Sequence, residues 1–357
     1  MPSAVVVGAG IFGASLAYRL ARDGWDVKLY ERHKPGHPRA ASGGESRLIR
    51  YAHGADAWYT RSAWRARELW RELEEETGRE LLVESGIAWF ARSPDGWEAE
   101  SERVLRAEGI PVERLSPDAG RELFPSFEPD NLGFIVWEPN AGVLRARDAT
   151  IATVEAAKRA GVRLHRETVT PADVNGDVVV WACGAWLPEL FEVPIRVTKQ
   201  DVLFFSAGDS WETPPVPAWV DYDRAVYGLG SLDGGGVKVA PDVEGPDFNP
   251  EEDERVPSEE SEGRARAYLR ERFPALHSAS VQGFTVCQYA LTPDTHFVLA
   301  RHGDHWIFGG GSGHGFKHGP ALAEYAARVV TGEEEPLERF GLGPRERGPS
   351  LRTAGSN

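Results

Sequence analysis

The chain has 357 residues, 41% hydrophobic and 27% charged, as expected of a globular protein with a sizeable core. That excludes a fibrous, collagen-like or mainly disordered chain, and the length predicts two domains or one large α/β body with an inserted lobe. A formal net charge of −15 argues against nucleic acid or an anionic membrane as the main partner.

Only six of the 40 basic residues are lysine (Lys28, Lys34, Lys158, Lys199, Lys238, Lys317), so a lysine in a pocket-like context carries extra weight. Two cysteines, Cys183 and Cys287, cannot build a disulfide framework and predict a reducing compartment, the cytoplasm. No apolar run approaches the roughly 18 residues of a membrane span. Ala4 opens a structural strand rather than a signal peptide.

In chain order, Ala4–Val7 is a short β-branched strand that runs into Gly8-Ala9-Gly10-Ile11-Phe12-Gly13. Residues 14–20 then carry apolar side chains at helical spacing, Asp23-Gly24 closes the helix, and Asp26–Tyr30 is a second strand ending at Glu31. In such a unit Gly8 makes the tight turn, Gly10 lets backbone approach a pyrophosphate, and Gly13 lets helix pack on strand. The helix N-terminus faces the phosphates and Glu31 the ribose hydroxyls. A bare glycine fingerprint is weak evidence, but strand, turn, helix, strand and acid in this order predict dinucleotide binding. FAD and NAD fit this unit equally.

Residues 41–50, Ala-Ser-Gly-Gly-Glu-Ser-Arg-Leu-Ile-Arg, form a small-residue loop leading to Arg47 and Arg50. Small residues permit close contact with a flat ring, and Arg50 can fork a carboxylate. Taken alone, the stretch fits a mobile surface loop with solvated arginines equally well.

Residues 56–77 predict an amphipathic helix with Tyr59, Ala63, Ala66, Trp70 and Leu73 on one stripe, ended by Gly78. Short strands with Pro and Gly punctuation follow from about 84 to 144. A helix is predicted over 147–160, a buried strand over Asp177–Ala182 and a second β-rich stretch over roughly 201–287. Residues 249–262 read as an acidic loop or helix start. After the glycine-rich segment 309–315 comes a helix near 319–331, then a polar tail beyond about 344 that should fray. The fold class is mixed α/β: a Rossmann-like nucleotide domain (1–83, 145–200 and 288–357) interrupted by a strand-rich, mainly antiparallel substrate domain (84–144 and 201–287).

Several separated segments agree at this point: Gly8–Gly13 with Glu31, Gly44–Arg50, Glu138–Val143, Cys183–Trp186, Gly236–Lys238, Cys287–Phe297 and Gly313–Lys317. Across nearly the whole chain they resemble, in order, the amine-oxidising branch of the D-amino-acid-oxidase superfamily of flavoproteins. The nearest likeness is to the monomeric sarcosine oxidase and N-methyltryptophan oxidase group.

The resemblance implies FAD, attached through a thioether from Cys287 to the flavin 8-methyl group. It implies a cofactor site of Gly8, Gly10, Ile11, Phe12, Gly13, Glu31, Arg32, Ser42, Ser46, Arg47, Val169, Cys183, Gly184, Trp186, Cys287, Tyr289 and Gly313–Lys317, including His314, Gly315 and Phe316. Cys183 is expected to be structural, near the cofactor through its backbone only.

Lys238 would sit over the flavin and assist oxygen reduction, since a buried cation stabilises the charge that dioxygen acquires. Arg50 and Lys317 would grip the substrate carboxylate, with Arg47 near the flavin ring. Tyr227 matches an aromatic active-site position, although cross-strand packing explains it as well. One departure stands out: where sarcosine oxidases carry a histidine four residues after this lysine, the chain has Asp242. That puts the amine side of the pocket in doubt and is consistent with a more basic or larger amine. Trp219 is a further candidate for that wall.

The implied activity is oxidation of a small secondary amine or N-methyl amino acid to an imine, with O2 reduced to H2O2, by a monomer. A cyclic imino acid oxidase or a flavin dehydrogenase that passes electrons to a partner protein is the alternative. A nicotinamide dehydrogenase leaves the Cys287 and Lys317 segments unexplained. A non-catalytic flavin protein would be yellow but would not be bleached by any amine.

Overall fold

The computed structural model describes residues 1–348 and 350–352. The first sheet has six strands in the spatial order Val298–His302, His305–Gly309, Val178–Trp181, Ser3–Val7, Asp26–Tyr30 and Arg163–His165. The pairings from His305–Gly309 to Arg163–His165 are parallel and the outer one is antiparallel. Burial on both sides accounts for the valine runs. Val5, Val6, Val179 and Val180 are almost wholly inaccessible because both faces of the parallel sheet are covered. The helices Ile11–Arg22, Ala146–Arg159 and Gly319–Val330 cover the face of Val6 and Val180 through alanine-rich sides, while Val5 and Val179 on the other face pack with Val174, Leu187 and Ile195.

The second sheet has eight strands in the order Val281–Leu291, Arg196–Phe205, Val237–Pro241, Val226–Leu229, Ala218–Asp221, Ile87–Ala91, Phe134–Glu138 and Glu113–Leu115. It is antiparallel except where Ala218–Asp221 runs alongside Ile87–Ala91. Its register decides where the chemistry falls. Cys287 pairs with Gln200 and Tyr289 with Thr198, Lys238 pairs with Phe204, and Tyr227 pairs with Ala240. Because side chains alternate with period two, Tyr227, Lys238, Cys287 and Tyr289 share one face.

The predicted helix 56–77 is Ala57–Thr77, capped by the Asp56 carboxylate on the Trp58 and Tyr59 amides and ended by Gly78 at φ 66°. Its stripe of Tyr59, Ala63, Ala66, Trp70 and Leu73 is buried as expected. Ser258 caps the helix Glu259–Arg272 in the acidic stretch. The helix Trp97–Ala107 was not anticipated, since Glu and Arg residues mask the one apolar edge, Val104 and Leu105, that it buries.

The tail also differs from expectation. Arg345 donates to the Asp294 carboxylate and to the carbonyls of His296, Phe297 and Gly341. Ser350, Leu351 and Arg352 are 4–6% exposed. Satisfied hydrogen bonds hold this polar segment where apolar periodicity gives no sign of it. Residues 349 and 353–357 lie outside the described residues.

Candidate active site

One cavity is walled by both sheets and reaches the turn from the first strand into the first helix. Gly8 has φ 102°, and a Cβ there would lie 2.5 Å from the Ala182 carbonyl oxygen; a Cβ on Gly13 would overlap the Gly8 carbonyl oxygen. Both positions therefore demand glycine, as the fingerprint predicted. Gly10 is the N-cap of the helix, and with Ile11 and Phe12 it lines the cavity. Gly13 does not line it but serves the close packing expected of it.

The nucleotide end is bounded by Glu31, Arg32, Val169, Cys183, Gly184 and Trp186. The Glu31 carboxylate accepts from the amides of Ala9 (2.7 Å) and His33 (2.8 Å), which fixes it beside the glycine turn. Ser42 lines the wall and accepts from the Ile11 amide through its hydroxyl. The Cys183 thiol donates to the Val7 carbonyl, and burial pushes its pKa up to about 12. Kept protonated in this way, the thiol is not poised as a nucleophile.

At the other end Arg47, Arg50, Tyr227, Lys238, Cys287, Tyr289 and Gly313–Lys317, including His314, Gly315 and Phe316, line the same cavity. Arg47 donates to the carbonyls of Ser46 and Ala41, and its Nη2 is 3.2 Å from the Cys287 sulfur. A guanidinium thus lies against the sulfur. Ser46 was expected to touch the cofactor, but it is absent from the cavity wall. Its carbonyl and hydroxyl instead accept from the Lys238 ammonium at 3.2 and 3.1 Å, because the short strand Ser46–Ile49 turns that side chain inward. Lys238 is 1% exposed and lies 5.6 Å from the centre of the Tyr227 ring. Burial, reinforced by Arg47, lowers its pKa to about 7.

Arg50 and Lys317 converge. Each is 2% exposed. The Lys317 ammonium donates to the His314 carbonyl at 2.7 Å, and the Trp70 indole holds the Lys317 carbonyl at 2.9 Å. Arg50 donates to the carbonyls of Ala52 and Leu351 and lies over the Trp89 ring. Glu138 is fully buried and accepts from the Tyr51 and Ala52 amides and the Trp89 indole. Burial lowers Arg50 to about 10, with Glu138 working in the opposite direction. Burial and the neighbouring Arg50 hold Lys317 well below the usual lysine range. Glu138 acts on both cations and the buried Asp242 on Arg50 as well, yet burial outweighs them and shifts both toward neutrality.

Asp242 and Trp219 correct the expected amine-side wall, as neither lines the cavity. Asp242 accepts from the Tyr289 hydroxyl at 2.9 Å and lies 3.9 Å from Arg352; it is engaged within the protein instead of facing an amine. Trp219 is fully buried and packs on Phe273 and Phe124 in the core behind the sheet.

Residues 350–352 went unforeseen. The Leu351 carbonyl accepts from Arg50 and its amide donates to Thr295, while the Ser350 carbonyl accepts from Tyr222. Arg352 reaches the Asp242 carbonyl. Leu351, a lone large apolar residue in a polar tail, was the one available signal.

The cavity suits FAD by its own chemistry. It has a glycine turn at a helix N-terminus, an acid at the end of the second strand, and a cationic, aromatic-walled chamber beyond. A model of the FAD-dependent oxidoreductase family matches residues 3–329. The chain belongs to that family. It is 30% identical to a monomeric sarcosine oxidase of Bacillus sp. (strain B-0618), over 93% of each chain. It is 27% identical to an N-methyl-L-tryptophan oxidase of Salmonella enteritidis PT4, over 94% of this chain and 96% of the other. The solved L-proline dehydrogenase from P. horikoshii superposes with a TM-score of 0.83 at 22% identity, covering 95% of this chain and 96% of that one. That likeness speaks for the fold. Among the described residues no helix is long and apolar enough to cross a membrane.

Proposed function

We propose that this FAD-dependent oxidoreductase oxidises a small secondary amine that carries a carboxylate, an N-methyl amino acid or a cyclic imino acid, with dioxygen as the acceptor. The observation that carries this reading is the paired burial of Arg50 and Lys317 at one end of the cavity, both shifted toward neutrality by that burial. A carboxylate bound between them restores both charges and is bound the more strongly for it. Relatives named for oxidation of sarcosine and N-methyltryptophan support the amine.

FAD, when bound, supplies the two-electron acceptor that takes a hydride equivalent from the carbon beside nitrogen and returns two electrons to O2 as H2O2. The residues of this chain do the rest. Arg50 and Lys317 orient the substrate so that the reacting C–H points consistently, which is where positional control gains most of the rate. Burial raises the hydroxyl pKa values of Tyr227 and Tyr289 above the ordinary phenol range, so both keep their protons and neither is a base. In this reading the amine binds already neutral, and the imine product is hydrolysed by water to a carbonyl compound and an amine.

Lys238 holds positive charge where dioxygen is reduced, which supports oxygen over a partner protein as acceptor. Cys287, with Arg47 against its sulfur, is the proposed point of covalent attachment. In the same reading the six-stranded sheet belongs to the nucleotide domain, the eight-stranded sheet to the substrate domain.

The test is anaerobic titration of purified protein with N-methylglycine, proline and pipecolate, alongside their amides, while following flavin absorbance. Bleaching by one or more of the acids, with peroxide on admitting air and at least tenfold poorer reaction of the matching amide, is expected. Equal reaction of acid and amide removes the carboxylate clamp from the proposal; no bleaching by any of them removes this substrate class.

A further inference from the structure

Behind the carboxylate clamp, three histidines meet. His53 lies three residues beyond Arg50, while His314 and His318 flank Lys317 on the glycine-rich loop. All three are at most 5% exposed. Their ring centroids are 5.2 to 6.1 Å apart, and one ring nitrogen from each lies within 4.8 Å of the others.

The hydrogen bonds fix how two of these rings are protonated. His53 Nδ1 is 2.9 Å from the Tyr51 carbonyl and His314 Nε2 is 2.8 Å from the Thr295 carbonyl. A carbonyl only accepts, so each of these nitrogens must carry the proton. The opposite nitrogens, His53 Nε2 and His314 Nδ1, are then bare lone pairs, buried and without a hydrogen-bond partner among the described residues. His318 Nδ1 is 3.0 Å from the Ser62 hydroxyl, which can donate or accept, and its Nε2 is buried and without a hydrogen-bond partner among the described residues; with the proton on Nδ1, that nitrogen too is a bare lone pair. One nitrogen anchored to an oxygen and the other left open is how metal-bound imidazoles are held.

With the His318 proton on Nδ1, three lone pairs face one point, and a single water donates only two hydrogen bonds to three nitrogens; with that proton on Nε2, one water satisfies all three. A proton on any one ring leaves the other rings unsatisfied. A metal ion takes all three lone pairs at once. With imidazole as the only donor, Mg2+ and Ca2+, which want oxygen, are excluded.

We propose that His53, His314 and His318 form a buried three-histidine site for a divalent transition metal of the zinc type. Zinc–nitrogen bonds of about 2.0–2.1 Å set tetrahedral N···N separations of about 3.4 Å, so each nitrogen moves inward by under about 1 Å. The ion would pin the turn that carries Lys317 to the segment that follows Arg50, behind the proposed substrate anchors. The site does not rest on the proposed substrate or on the flavin chemistry.

The experiment is elemental analysis of the untagged flavoprotein, with Zn2+ and Co2+ as the added probes, on the parent chain and on His53→Phe and His318→Phe. About one zinc per chain after gel filtration in the parent, and less than a tenth of that in either variant, is expected. Added Co2+ should give visible bands beyond the flavin absorption in the parent only, and Zn2+ should raise the parent Tm alone. Metal-free parent protein that neither gains a cobalt spectrum nor shifts its Tm with zinc overturns the site. So does metal uptake that both variants retain. Because the parent measurement decides by itself, a variant that fails to fold leaves the test intact, and flavin colour reports folding in the others.

Discussion

Replacing Lys238 by methionine removes a fully buried ammonium while keeping most of its volume. The side chain is 1% exposed and held by Ser46 alone among hydrogen-bond acceptors in the described residues. An ammonium and a unit negative charge about 4–5 Å apart, at an effective permittivity of about 20, attract by roughly 3–4 kcal/mol. That corresponds to about 200- to 1000-fold in rate. The assay is stopped-flow mixing of substrate-reduced enzyme with oxygen, alongside anaerobic reduction by the amine. Lys238→Met should slow reoxidation by that factor and reduction by no more than about fivefold. With its pKa near 7, Lys238 carries its charge below that pH and loses it above. Parent reoxidation should therefore fall as pH rises past about 7, or somewhat higher because negative charge generated in turnover raises the pKa, while the variant stays flat. Reoxidation within tenfold of the parent, or an equal loss in both half-reactions, would refute the assignment.

Cys287→Ser should bind flavin yet release the yellow colour to the supernatant on acid precipitation, whereas the parent keeps it in the pellet; a parent supernatant that is already yellow ends the thioether proposal. Asp242→Ala leaves the Arg352 guanidinium buried beside a missing partner, and should lower the free energy of unfolding by about 3–5 kcal/mol. Adding Arg352→Met should recover a good part of that in urea titrations, and simple additivity of the two changes would count against the pair. Glu98 is 3% exposed, and its Oε1 has no hydrogen-bond partner among the described residues. Burial, with Asp223 and Asp221 nearby, raises its pKa to about 7. The folded state then holds this proton more tightly than the unfolded one, so stability falls as pH rises from about 4.5 to 7. Glu98→Gln should thus gain up to about 3 kcal/mol at pH 8 and little at pH 5; equal effects at both values contradict it.

The glycine fingerprint was legible because its constraints are local: φ at Gly8 and the Gly13 contact with the Gly8 carbonyl arise within six residues. Helix boundaries at Asp56 and Gly78 were legible for the same reason, as caps are neighbours in sequence. Lys238 and Cys287 stood out through rarity and resemblance. That they share a face follows from period two once the register is known, and the register is a long-range fact. Asp242 misled because its neighbours along the chain do not reveal Tyr289 and Arg352, which reach it from elsewhere in the fold.

By itself the sequence determined the nucleotide-binding unit, the α/β class and the set of rare polar residues available for chemistry, since composition and short-range sterics decide these. Only the tertiary structure decided which of those residues meet. It seated Leu351 against Arg50 and turned Asp242 to Arg352, and it gathered His53, His314 and His318 around one point. The reason is physical: burial makes each unpaired charge or lone pair expensive, and its partner is chosen by proximity in space, which the order of residues along the chain does not encode locally.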